Sequence, residues 1–348
     1  MFGSASSAVS TPLQESQATE PAEQWRNAGK YFTWNSTLPE NEGRSVQVFY
    51  TCTGDADKPT ILMLHGFPTS SYDFRAFISN LQPDYRVCTL DFPGYGLSDK
   101  PADGYRYSLV DDAQLVWHFV TTIIPQEEFI LFSHDRADSV ALNFLQLYQA
   151  AVDPPFRITH QFLTNANLYL PLANLTDFQK AMLDPQTSAA AVNALSPELL
   201  AAGMGATQYS PALSPSDPEV RALAFNFAWQ DGIRVIPATI QYLHERMQLE
   251  DVFLDALAQS AIPVTMIWGV HDMVSPVRVA DYVWSRALES RPAPAAYWLA
   301  PCANHYLLHD QHQAIAQVVR LTLADGPHAA PFDLTAHPCS PVLVDRHS

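Results

Sequence analysis

Short apolar runs alternate with amphipathic helical segments along most of this chain, and that alternation leaves few folds open. The run PTILMLHG is apolar almost throughout, as expected of a strand buried on both faces of a parallel sheet. The runs YRVCTLDFPG, EFILFSH, ITHQFLTNA, PVTMIWGV and AYWLAPC repeat the theme, and KYFTWN and RSVQVFYTCTG form an opening pair. Helical patterns lie between them, over 107–122, 136–150, 276–288 and 306–323. The expected architecture is α/β: a mostly parallel eight-stranded sheet flanked by helices.

The alternation stops between about Leu168 and Ala258, where Ala, Leu, Pro and Gln dominate and RVIPATIQYLHERMQLEDVFLDAL is the clearest helix. A helical cap inserted after the sixth strand would lie over the carboxyl ends of the strands, where open α/β sheets bind ligands. The expected division is a disordered tail over 1–28, core over 29–166, cap over 167–258, core again over 259–325 and an irregular tail over 326–348.

Charge narrows the partners. The net charge is -17 with no basic cluster, which argues against nucleic acid and anionic membranes. No apolar run reaches the roughly 18 residues of a membrane span, and the first residues lack the basic start and apolar stretch of a signal peptide. Cys52, Cys88, Cys302 and Cys339 are widely spaced without a CxxC, so free thiols in a reducing, cytoplasmic setting are expected.

Four sites follow successive strands. LMLHGFPTSS places His65-Gly66-Phe67-Pro68 after the third, SHDRAD places Asp135 after the fifth, GVHDMVSP places Asp272 after the seventh, and CANHYLLHD places His305 after the eighth. Nucleophile, acid, histidine is the chain order of α/β-hydrolase triads. An aspartate at a strand-to-helix turn is also a plain helix cap, and Asp272 is also an ordinary turn residue. With the four sites in order, the catalytic reading prevails. His305, His309 and His312 share helical spacing, but no HExxH or carboxylate ligands accompany them, so no metal is expected.

These motifs resemble the aspartate-nucleophile branch of the α/β-hydrolase fold, which includes epoxide hydrolases and haloalkane dehalogenases. HGFPTSSYDF, DFPGYGLSDKP, LFSHDRAD and IQYLHER are most similar to the mesoderm-specific transcript group, over about residues 30–323. Ser133 and Ala137 stand where the family usually has glycines. The resemblance implies Asp135 as nucleophile, the backbone N–H groups of Phe67 and Arg136 as oxyanion hole, His305 as general base, Asp272 as its orienting acid, and no cofactor. A carboxylate suits displacement at a saturated carbon; water then attacks the resulting Asp135 ester. His65 is placed beside the substrate, as a shaper of the oxyanion loop.

Opening an epoxide needs an acid for the leaving oxygen, which cap tyrosines supply in epoxide hydrolases. Tyr242 in IQYLHER fits best, with Tyr169 or Tyr209 as its companion at the substrate. Haloalkane dehalogenases usually carry Trp after the nucleophile and many carry Asn after the HG; Arg136 and Phe67 replace them here. HDR occurs in haloacid dehalogenases, but the second arginine they carry is Ser139 in this chain. Arg136 is therefore expected to pair with Asp138 or another acid. The expected function is hydrolysis of a small or medium apolar epoxide. Dehalogenation is the alternative, and a non-catalytic interaction protein keeping the fold is the second.

Overall fold

A computed structural model describes residues 19–325 and 338–347. Nine strands form one sheet: β1 (Lys30–Asn35), β2 (Ser45–Thr53), β3 (Thr60–Leu64), β4 (Arg86–Leu90), β5 (Glu128–His134), β6 (Arg157–Thr164), β7 (Val264–Gly269), β8 (Ala295–Ala300) and β9 (Val342–His347). Their order is β1-β2-β4-β3-β5-β6-β7-β8-β9. β2 runs antiparallel to β1 and β4, and β9 to β8; every other pairing is parallel.

The central strands are buried on both faces, and their side chains feed two cores in turn. Leu62 and Leu64 of β3 and Leu131 of β5 face one apolar cluster; Ile61, Met63, Ile130 and Phe132 face the other. This period of two is why the runs read as continuously apolar: neither face meets water. Helices α1 (Glu20–Ala28), α2 (Arg75–Leu81), α3 (Leu109–His118) and α4 (Arg136–Ala150) precede an insertion between β6 and β7. The insertion carries α5 (Asp177–Leu183), α6 (Ser188–Asn193), α7 (Pro197–Gln208), α8 (Pro218–Ala228), α9 (Ile236–Thr239) and α10 (Tyr242–Gln259). Helices α11 (Val277–Val283), α12 (Leu307–Asp310) and α13 (His312–Asp325) complete the fold.

Three expectations are corrected. The sheet has nine strands rather than eight, because part of the expected C-terminal tail pairs with β8 from Ala295↔His347 to Leu299↔Val342. Val342 and Val344 are exposed and only Leu343 packs on the core, so the strand carries too short an apolar pattern to read. The N-terminal tail likewise ends in a helix. Residues 1–18 and 326–337 lie outside the described residues, but the Thr19 hydroxyl caps α1 and Trp25 packs edge-on against Tyr72.

The cysteines, third, are not free. Cys52 and Cys88 face each other in the antiparallel β2–β4 register and are bonded, with Cα atoms 4.1 Å apart. Cys302 and Cys339 join the loop after β8 to the segment before β9. Cross-strand register brought together residues 36 positions apart, which linear spacing could not show. The wide cysteine spacing is thus no sign of a reducing compartment.

Candidate active site

Strand β5 ends at His134 and helix α4 begins at Arg136, so Asp135 alone makes the turn. Its backbone sits at φ 52, ψ -115, a conformation costing a non-glycine residue about 1–3 kcal/mol. The turn is over-determined: Asp135 N–H donates to the Thr164 carbonyl (3.0 Å), and the Asp135 carbonyl accepts the Asp138 N–H (3.1 Å). Ser133 and Ala137, the two departures from glycine, are fully buried, and Ser133 Oγ donates to the Phe162 carbonyl (3.2 Å). Ser133 is thus turned into the sheet, while Asp135 stands at the helix N-terminus, where free N–H groups and the dipole favour a carboxylate.

The loop after β3 reaches over this aspartate. Phe67 N–H donates to Asp135 Oδ2 at 2.9 Å. Gly66 permits that approach: a Cβ there would lie 2.7 Å from Asp135 Cβ and 2.9 Å from Oδ2. His65 is buried behind the loop. Its Nε2 accepts the Phe92 N–H (3.0 Å), which leaves Nδ1 to donate to the Gly66 carbonyl (2.8 Å). Burial depresses its pKa to about 3, so it is a neutral strut for the loop.

His305 Nδ1 lies 2.8 Å from Asp272 Oδ2. Asp272 is held as an acceptor throughout: Asn165 Nδ2 donates to Oδ2 (2.6 Å), and the Val274 and Ser275 N–H groups donate to Oδ1 (2.7 and 2.9 Å). Burial pulls the His305 pKa down, but the Asp272 carboxylate, with smaller help from Asp135 and Asp73, lifts it to about 9. His134 stands 5.1 Å from the His305 ring, and burial lowers its pKa to about 4.

Asp135 and His305 open on one small cavity, closed above by the insertion through Phe178, Leu200, Met204 and Gln208. Its free space is that of about one or two waters.

Residues 59–311 match the model of the alpha/beta hydrolase fold family. The chain belongs to the α/β-hydrolase fold family. It is 32% identical to LipZ of Mycobacterium tuberculosis, provisionally named a hydrolase, over 87% of this chain and 98% of that protein. It is 30% identical to the human mesoderm-specific transcript homolog protein, over 72% of this chain and 73% of that one. Among solved structures the epoxide hydrolase CorEH superposes with a TM-score of 0.65 at 18% identity, covering 85% of this chain and 99% of that one.

On this α/β-hydrolase scaffold the remaining sequence-predicted residues separate. Tyr242, at the start of α10, is buried close enough to Asp135 for that charge to raise its pKa further, after burial itself. Its ring stands between two guanidiniums, Arg136 at 5.3 Å and Arg246 at 4.9 Å, and 5.7 Å from the Phe67 ring. Neither Tyr242 nor Tyr209 lines the Asp135 cavity; Tyr209 stacks on Tyr306 at 4.7 Å in a neighbouring chamber. Tyr169 is farther off, stacked on Tyr282 at 4.1 Å.

Arg136 is 1% exposed and pairs with Asp112, of the two partners expected the unnamed acid rather than Asp138. The rings of Phe92, Tyr95 and Tyr242 surround its guanidinium at 5.1–5.3 Å.

Several residues escaped sequence reading. Asn165, at φ 47, bridges Gly269 N–H and Asp272, and only its place after β6 marks it. Arg246 crosses from α10 to the elbow, its Nε donating to Ser139 Oγ (2.8 Å) and Nη2 to the Asp135 carbonyl (3.4 Å). Gln179 and Gln208 bring amides to the cavity. Each belongs to an element whose docking is tertiary, so nothing nearby in sequence signals it.

Proposed function

We propose that this chain is a cofactor-independent hydrolase that opens a small or medium apolar epoxide through an ester on Asp135. The observation that carries the reading is the Phe67 N–H on Asp135 Oδ2, at an elbow whose helix starts one residue later. That contact holds one carboxylate oxygen where an oxyanion hole would sit and leaves the other to attack. An ordinary serine esterase does not fit, since Ser133 is two positions early and buried in the sheet.

In the first step an Asp135 oxygen bonds to an epoxide carbon, that carbon–oxygen bond breaks, and the leaving oxygen takes a proton. Tyr242 is the proposed donor, because it lies close enough to Asp135 for that charge to raise its pKa. In the second step water adds to the Asp135 carbonyl carbon and gives a proton to His305. The oxyanion forms on Asp135 itself, facing the N–H groups of Phe67 and Arg136. The ester bond then breaks, the diol departs with the proton from His305, and the new Asp135 carboxylic acid returns its proton to Tyr242. The balance is epoxide plus water to diol. Apolar neighbours Phe178, Leu200, Met204 and Val274 favour an apolar substrate.

One observation favours dehalogenation as the second reading: Gln179 and Gln208, whose side chains carry N–H donors, line the same cavity as Asp135. Intact mass of His305→Ala after exposure to epoxides and to haloalkanes separates the two. An adduct of the whole epoxide supports the first. An adduct of haloalkane less hydrogen halide supports the second. No adduct from either panel defeats both and points to a binding role.

A further inference from the structure

A second chamber lies behind the catalytic histidine. Consecutive residues divide it from the Asp135 cavity: Gln208 and His305 line the cavity, and their chain neighbours Tyr209 and Tyr306 line the chamber. Pro68 faces the cavity in the same way, while the next residue, Thr69, donates its hydroxyl to Asp73 Oδ2 and stands 3.5 Å from the Tyr306 hydroxyl. Adjacent residues of the same chain segments therefore face the two spaces. The segments are also divided between bodies, since Gln208 and Tyr209 belong to the insertion and the other residues to the core.

The chamber is lined by ionisable side chains, Asp73, Arg75, Glu219 and His309, that the apolar part of the cavity lacks. Asp73 Oδ1 is shut off from bulk solvent and finds no hydrogen-bond partner among the described residues. An unpartnered buried carboxyl oxygen is costly, and a water donor would relieve it. The free space suits about one ordered water. On the outer side Arg75 of α2 pairs with Glu219 of α8, both partly exposed, across the seam between core and insertion.

We infer that this chamber is a water entrance to His305, separate from the way in for the substrate, with Asp73 as the waiting site and the Arg75–Glu219 pair as its outer door. The inference rests on the Asp135-ester reading for its catalytic use, not for its existence. An ester sealed under an apolar insertion needs water without admitting bulk solvent past the substrate. A route past the Asp73 carboxyl behind the histidine supplies it, and the stacked Tyr209–Tyr306 pair is the inner barrier that a small shift of the insertion parts. Asp73 is then a positioning residue, holding water rather than touching the ester.

The test plugs each route in turn. Ala76→Phe fills the chamber from α2 and Leu200→Trp fills the Asp135 cavity; Ala76→Leu serves if phenylalanine disturbs folding. The first readout is exchange of the His305 ring N–H with solvent, followed by NMR in the resting protein, which needs no chemistry. We expect Ala76→Phe to slow it roughly tenfold and Leu200→Trp to leave it unchanged. The second is single-turnover mass spectrometry: Ala76→Phe and Asp73→Asn should slow ester breakdown while ester formation keeps its rate. Exchange slowed by Leu200→Trp and not by Ala76→Phe overturns the inference, as does unchanged breakdown. Should wild-type protein form no ester at all, the Asp135 reading fails and the exchange result still decides the chamber.

Discussion

Phe67 donates its N–H to Asp135 Oδ2 at 2.9 Å, so the two oxygens of the elbow carboxylate are not equivalent before any substrate arrives. Gly66 sets that asymmetry, because a methyl group there would strike the Asp135 side chain at 2.7 Å. Gly66→Ala should retain the fold and lose ester formation by about 100-fold or more, the scale of a lost oxyanion donor. Stopped mass spectrometry on the His305→Ala background measures it directly, and a rate within a factor of about three of Gly66 would refute the arrangement.

The charge on Asp135 is coupled to His305. The histidine pKa is about 9 after burial and the carboxylates have acted, so the resting protein holds it protonated at neutral pH. In the proposed ester Asp135 would no longer carry its charge, and His305 would move toward the neutral base that hydrolysis of that ester needs. Asp135→Asn imitates that loss of charge; it should abolish turnover and lower the His305 pKa seen by NMR. A pKa unchanged in the variant would separate the two residues. The linkage sign follows: the folded value lies above 6.5, so this group's contribution to stability is fully present below about 6.5 and is lost as pH rises through about 9.

Tyr242 distinguishes the leaving groups. If it protonates an epoxide oxygen, Tyr242→Phe should cut alkylation by epoxides about 100-fold or more, in the range of lost general acid catalysis. Alkylation by a haloalkane, which needs no acid, should change little. Equal loss with both electrophiles would mean that the ring's place between Arg136 and Arg246, not its hydroxyl, is what matters.

Arg136 reads as structural. It is fully buried against Asp112, whose carboxyl is pushed up to about 6 by burial even with the guanidinium opposing the rise. Arg136→Met alone should cost roughly 3–5 kcal/mol by leaving Asp112 unpaired, and adding Asp112→Leu should recover much of it. Chemical denaturation of the three variants checks this. A double variant that regains stability but loses binding of carboxylate-bearing substrates would return Arg136 to the site.

The two disulfides admit a chemical count. Oxidised protein unfolded in denaturant should show no reactive thiol at Cys52, Cys88, Cys302 or Cys339, and all four after reduction. Cys339→Ser should lower stability by about 2–4 kcal/mol and loosen β9 from β8. Hydrogen exchange along Val342–His347 would report it.

What the sequence determined alone is the part of the molecule written in local pattern. The runs around Leu62, Leu131 and Met266 are apolar on both faces because a parallel sheet buries both, so the α/β class and the strand ends were legible. Asp135, Asp272 and His305 follow those ends directly, and their order is a property of the chain. Tertiary structure decided what depends on register and docking. Strand β9 has exposed valines and only Leu343 on the core, and Cys52 meets Cys88 only through the β2–β4 ladder. Tyr242 fits best by its helical segment, but nothing in the sequence separates Tyr209 from Tyr169. Packing of the insertion sets one beside Asp135, one behind His305 and one against Tyr282, because side chains carried by separate helices meet only after those helices dock.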